Sequence, residues 1–299
     1  MKRDWRRELP LHLMILPGFA IVLLFSYGPL AGSVIAFQDF IPSLGFFGDQ
    51  EWVGWENFSY ALELPDTARA VRNTFVIAGM KIILGIVTPV VFALLLNEVR
   101  QKLIKRGIQT VIYLPHFLSW VVLSGILIDI LSPGFGVVNK ALNALGLESI
   151  YFLGSNTWFP ITVVVSDTWK EFGFGSIVFM AAISSIDYSL YEASTIDGAS
   201  WWKQMVHITL PGILPMVILV TVLTMGNILN ANFEQIYNLY SPQVYESGDI
   251  IDTLVYRIGV MDAQYSVATA IGLMKSIVSL IFVAGTYFAA YRLVGYRIF

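Results

Sequence analysis

Apolar residues run along this chain in six long blocks, at about 11–37, 70–97, 107–131, 158–184, 210–231 and 266–292. Each is long enough to cover a hydrocarbon core of ~30 Å, which takes roughly 20 mostly apolar residues as a helix. A helix satisfies its own backbone hydrogen bonds where no water is present. The fourth block is interrupted by Asp167, Lys170 and Glu171. The pattern predicts an all-α membrane protein of six transmembrane helices within residues 11–299, with no separate soluble domain. Residues 1–10, MKRDWRRELP, read as a short interfacial helix, with Trp5 at headgroup level and the arginines in water.

Composition agrees: 56% of the 299 residues are hydrophobic and 13% charged, about half the charged share of a soluble domain. Basic residues between blocks set the orientation. Lys2, Arg3, Arg6, Arg7, Arg100, Lys102, Lys105, Arg106, Lys203, Arg292 and Arg297 fall on one side, against Arg69, Arg72, Lys140 and Arg257 on the other. That places both termini in the cytoplasm. The opposite side is acidic, with Asp39, Asp49, Glu51, Glu56, Glu63, Asp66, Glu246, Asp249, Asp252 and Asp262. The first block is longer than a signal-peptide core and its removal breaks the in/in parity, so it is read as a retained span. A formal net charge of −3 without a basic patch gives no sign of nucleic-acid binding, and the absence of Cys excludes disulfides and thiol chemistry.

The longer connections, 38–69, 132–157 and 232–265, lie outside, the first glycine- and aromatic-rich and the second opening on a Ser-Pro-Gly turn. Pro17 and Pro29 favour bends in the first span. Between the fourth and fifth blocks lies a polar loop, 185–211. Ser189 and Glu192 have capping-box spacing for a helix over about 190–196, Gly198 permits a turn, and Pro211 suits the first turn of span five. The result is a rigid helix–turn–helix whose Ala193, Ile196 and Ala199 need a partner surface.

Glu192-Ala-Ser-Thr-Ile-Asp197-Gly198-Ala199, with Ile208-Thr-Leu210-Pro211 ten residues beyond Gly198, resembles the signature cytoplasmic loop of bacterial ABC-importer permeases. Ser194 stands where that pattern has a second alanine. Phe25-Ser-Tyr-Gly-Pro-Leu30, Leu94–Arg100, Tyr113-Leu-Pro-His-Phe117, Trp169-Lys-Glu171 and Asp252–Arg257 are similar to the oligosaccharide and polysaccharide-fragment branch of carbohydrate permeases. The resemblance covers nearly the whole chain. It implies the type I ABC importer permease fold, with Glu192, Ala193, Asp197, Gly198, Ala199, Ile208, Leu210 and Pro211 coupling the spans to an ATPase. It further implies a homologous second permease, two copies of a cytoplasmic ABC ATPase, an extracytoplasmic solute-binding protein and an oligosaccharide substrate, in the bacterial inner membrane among lipid. ATP and Mg would sit on the ATPase, since this chain has no phosphate-binding G-x-x-x-x-G-K-[ST] and binds no cofactor or metal of its own.

Ionisable residues at membrane depth are functional candidates. Asp167, Lys170 and Glu171 lie roughly 13–20 Å into span four and share one helix face, so they line a cavity or pair with one another; Gly173 and Gly175 below them are read as a possible kink. A second stripe, Asn227, Asn230, Glu234 and Asn238, reads as one face of span five, with Phe233, Tyr237 and Tyr240 placed to stack on sugar rings. Interhelical hydrogen bonding is the competing reading of the asparagines. Lys81 and Lys275 are expected to pair internally, and His116 to serve helix packing. His12, His116 and His207 are far apart and no H-E-x-x-H occurs, which disfavours an intramembrane enzyme. An ion-gradient-driven secondary transporter using Asp167 and Glu171 is the alternative.

Overall fold

The computed structural model describes residues 5–46 and 48–294; Lys2, Arg3 and Arg297 of the charge argument lie outside them. Along the chain run α1 (Trp5–Val22), β1 (Gln38–Asp39), β2 (Glu51–Trp52), α2 (Glu56–Glu63), α3 (Pro65–Asn97), α4 (Lys102–Tyr113), α5 (Trp120–Leu131), α6 (Val137–Ala144), α7 (Trp158–Ser184), α8 (Tyr188–Ile196), α9 (Trp201–Gln204), α10 (Leu210–Met225), α11 (Phe233–Leu239), α12 (Tyr245–Gly248), α13 (Ile251–Tyr256) and α14 (Tyr265–Val294). The chain divides into two compact units, residues 1–67 with 255–274, and residues 68–254 with 275–299.

In the first unit, the helix entered at α1 continues as a π turn over Leu23–Tyr27 and a ten-residue 3-10 stretch over Gly28–Phe37. Runs of 3-10 helix beyond three or four residues are uncommon; Pro29, near its start, has no N–H for a regular ladder. β1 pairs antiparallel with β2, Gln38 opposite Trp52. Phe37 stacks on Trp52 at 5.7 Å and meets Phe58 at 5.1 Å, so the aromatics of residues 38–69 close a small folded cap. Asn57 secures it by donating to the Ala36 and Gln38 carbonyls, both at 3.0 Å.

The second unit holds the site. α3, α7 and α11 pack around Ile77, Phe159, Val163, Ile236 and Leu239, and α3, α7 and α10 around Ala93, Phe179 and Ile213. Among the described residues, four helical runs are long and apolar enough to cross a membrane: Leu9–Phe37, Pro65–Asn97, Trp201–Met225 and Tyr265–Ala289. Two bent pairs add to these, Lys102–Phe117 with Trp120–Leu131 at 103° and Trp158–Ser184 with Tyr188–Ile196 at 67°.

The third block is therefore broken where a single span over 107–131 was expected. Pro115 sits in a 3-10 turn, Leu118 and Ser119 are extended, and the Ser119 hydroxyl caps the new helix at Val122 N. Nor do Gly173 and Gly175 kink the fourth span. α7 is helical throughout, and Gly173 instead admits Ile112 of α4: a Cβ there would lie 2.6 Å from the Ile112 carbonyl oxygen and Cγ2.

Candidate functional site

A cavity of about 570 Å³ opens where α3, α7 and the segment after α10 converge. α3 contributes Lys81 and α7 contributes Asp167 and Glu171, one helical turn apart; Asn227, Asn230, Asn232 and Phe233 close the other side. The asparagines are not on one helix, as a continuous span five would require. α10 ends at Met225, and Gly226 packs close to Thr286 of α14, 3.2 Å from where its Cβ would stand. Tight turns follow, with Asn227 N and Asn230 N donating to Thr224 O and Asn227 O. Asn232 then takes a left-handed conformation, φ 70°, uncommon for a non-glycine residue and costly unless its surroundings hold it. Its side chain caps α11 at Gln235 N and donates to Asp167 Oδ1 at 3.4 Å.

The charges in this cavity are internally matched. Lys81 Nζ pairs with Asp167 at 3.2 Å, donates to the Ala231 carbonyl at 2.9 Å and reaches the Gln235 amide oxygen. Gln235 is fully buried and spends its own N–H groups on Val163 O and Ser166 Oγ. Lys170 turns away from the cavity; it donates to Glu171 at 2.8 Å and to the His116 carbonyl at 2.9 Å, and lies 5.6 Å over the Trp120 ring. His116 is not an isolated packing residue, because its Nδ1 stands 2.7 Å from Glu171 Oε2 and its ring stacks on Phe174 at 4.0 Å. Lys275 pairs with Asp252, as internal pairing of the mid-span lysines requires. Glu234 is exposed outside the cavity wall, with its carbonyl accepting from Asn238, and Tyr237 stands one ring away from Phe233. Asn232 and Gln235 belong to this network and escaped the sequence reading. The signal was the Asn-Ala-Asn run, hidden by treating the region as continuous helix.

The polar loop forms a hairpin of α8 and α9. Its N-cap is Asp187, not Ser189: the carboxylate accepts from Ser189 N at 2.9 Å, which holds it below the ordinary carboxylate range. Gly198 has φ 73°, and Ala199 N bonds back to Ser194 O, a glycine C-cap of the Schellman kind. Gln204 then staples the arms together, donating to Ser194 Oγ at 2.9 Å and Thr195 Oγ1 at 3.0 Å. Pro211 stands in the first turn of α10, as expected, although the helical run is continuous over Trp201–Met225. A π turn over Met205–Thr209 absorbs its missing N–H. Gly212 lets α10 approach Ile186, whose Cδ1 would lie 2.7 Å from an added Cβ. Glu192, Ala193, Ile196 and Asp197 are exposed and Ala199 and Ile208 half-buried; Ile196 is 87% exposed. Leu190, Trp201 and Trp202 are exposed beside it.

Residues 82–294 match the model of the binding-protein-dependent transport system inner membrane component family. The chain belongs to this family. It is a permease component of a binding-protein-dependent ABC importer with the type I permease fold, and a multi-pass membrane protein. It is 40% identical over 285 residues to protein LplB of Bacillus subtilis, covering 95% of this chain and 89% of that one. It is also 40% identical to the polygalacturonan/rhamnogalacturonan transport system permease protein YteP of the same organism, over 91% of this chain and 85% of that one. A chain in the crystal structure of a bacterial alginate ABC transporter, in complex with its alginate pentasaccharide-bound periplasmic protein, superposes with a TM-score of 0.88 at 37% identity, over 97% of each chain.

Proposed function

We propose that this permease carries an oligosaccharide or polysaccharide fragment through the cavity at Asp167, Glu171, Asn227, Asn230 and Phe233. The observation that supports it is the cavity's chemistry. Asparagine side chains offer both donors and acceptors to hydroxyls, while both cavity carboxylates are ion-paired, Asp167 with Lys81 and Glu171 with Lys170. The cargo of the similar proteins, polygalacturonan/rhamnogalacturonan and alginate, is saccharide in each case.

In this reading the chain spans the inner membrane six times, each bent pair counting once, with both termini cytoplasmic and α8–α9 on the cytoplasmic side. The hairpin docks, through Glu192, Ala193, Ile196, Asp197 and Ala199, into a cytoplasmic ATPase present in two copies. Those subunits hold ATP and Mg, and this chain hydrolyses nothing. Ile208, Leu210 and Pro211 transmit the hairpin's movement into α10, a lever between two discrete arrangements. A second, homologous permease completes the pathway: no residue in the most apolar stretch of Leu9–Phe37 is buried within this chain. A solute-binding protein delivers cargo from outside. The reading is tested in proteoliposomes holding the two permeases and the ATPase, with the binding protein added. Saccharide uptake that requires ATP is expected; uptake driven by a pH gradient without ATP contradicts it.

A further inference from the structure

α11 is amphipathic in an unusual sense. One face, Gln235, Ile236 and Leu239, is buried, while the opposite face carries rings where a surface helix carries polar groups. Phe233 stacks on Tyr237 with centroids 5.2 Å apart and planes 21° apart. Tyr237 meets Tyr240 at 6.1 Å, and past a 3-10 turn at Pro242–Val244, Tyr240 meets Tyr245 at 5.1 Å. All four rings are partly exposed.

The row has a direction. At one end Phe233 lines the polar cavity, and its neighbour Asn232 bonds Asp167. At the other end, Gln243 and Ser247, on either side of Tyr245, contact Asn156, just before α7 begins at Trp158. From Trp158 to Asp167 is about 14 Å along α7. Aromatic residues that mark a membrane–water interface gather at one depth; these four instead descend through the depth of the protein and end in a cavity. The flat ring faces suit the C–H faces of pyranose rings, which bury apolar surface while leaving their hydroxyls to water.

We propose that Tyr237, Tyr240 and Tyr245 form a row of entry subsites, stepped one ring apart, along which an extended saccharide slides from the outer surface to the cavity. The proposal rests on the saccharide reading above and extends it from one cavity to a track several sugar rings long. It makes the permease itself selective for oligosaccharides over single sugars.

The chain contains no Cys, so single-cysteine variants report cleanly. Tyr237→Cys, Tyr240→Cys and Tyr245→Cys in the assembled transporter are treated with a membrane-impermeant maleimide from outside, with and without binding protein loaded with an alginate or galacturonate pentasaccharide. All three are expected to react, and cargo to slow the reaction about three- to tenfold. Tyr240→Ala is expected to lower pentasaccharide uptake by a similar factor and disaccharide uptake by less than about twofold, while Tyr240→Phe, which keeps the ring, retains both. If the cysteines are unreactive, the rings face lipid and the track is wrong. Equal reactivity with and without a cargo that the transporter takes up overturns the track alone. Absence of uptake for every saccharide tried overturns the saccharide reading and the track with it.

Discussion

The cavity at Asp167 and the hairpin at Gly198 are both polar features of an apolar chain, and they are finished in opposite ways. In the cavity the charges are paired among the described residues: Lys81 with Asp167 and Lys170 with Glu171, whose other oxygen meets His116 Nδ1. In the hairpin the backbone is fully tied, by the Asp187 cap, the Gly198 turn and the Gln204 staple, yet Ile196, Trp201 and Trp202 stand in the open. A region whose charges are matched internally presents hydrogen-bonding side chains to the hydroxyls of a cargo. A rigid region with unpartnered apolar side chains is completed by another molecule. In the function proposed above, the difference separates a passage from a handle.

Breaking the closed region carries the largest cost. Lys81→Met leaves Asp167 without its cation and is expected to destabilise the folded permease by about 3–5 kcal/mol, read as loss of the monodisperse protein in detergent and a lower Tm. Lys81→Met with Asp167→Leu removes both charges and restores most of that stability, which a purely steric role for Lys81 does not predict. Next in size, Gly173→Leu drives a side chain into Ile112 and costs about 1–3 kcal/mol. Pairing it with Ile112→Ala recovers part of the loss, which shows that close approach rather than helix flexibility is what Gly173 provides. In the open region, Ile196→Arg is expected to change the Tm of the isolated permease by no more than about 0.5 kcal/mol equivalent, while abolishing co-purification of the ATPase subunits. The smallest effect is at Asp187. Its carboxyl is held below the ordinary range by Ser189 N–H, so its stabilisation of α8 is present above the unfolded carboxylate pKa and is lost as pH falls through the lower native one. Amide exchange at the start of α8, corrected for its intrinsic pH dependence, should therefore rise only under acid, and Asp187→Ala should reproduce the rise at neutral pH.

The sequence made the hairpin legible almost residue by residue, because helix caps, glycine turns and the Glu192–Pro211 spacing are local signals. What it misplaced were local too: Asp187 rather than Ser189 caps α8, and Ser194, the departure from the family pattern, supplies the hydroxyl that Gln204 holds. The long spans Pro65–Asn97 and Tyr265–Ala289 followed from hydropathy alone. The cavity was only half legible. Its carboxylates and asparagines were identifiable as costly at membrane depth, but their partners depend on tertiary approach: Lys81 lies 86 residues from Asp167 and His116 55 from Glu171. Periodicity failed where the chain leaves the helix. Asn227 and Asn230 reach the cavity from turns, and the third span breaks at Leu118–Ser119, both places where apolar composition continues while backbone geometry changes.

The claim that the hairpin is the handle and the cavity the passage is tested most directly by Gly198→Val, a β-branched residue at φ 73°. It is measured as ATP-driven saccharide uptake and as binding-protein-stimulated ATP hydrolysis in the same proteoliposomes. The account predicts at least a tenfold loss of uptake (about 1.4 kcal/mol or more) with the Tm of the purified permease unchanged within about 2 °C. Undiminished uptake from that variant would contradict it.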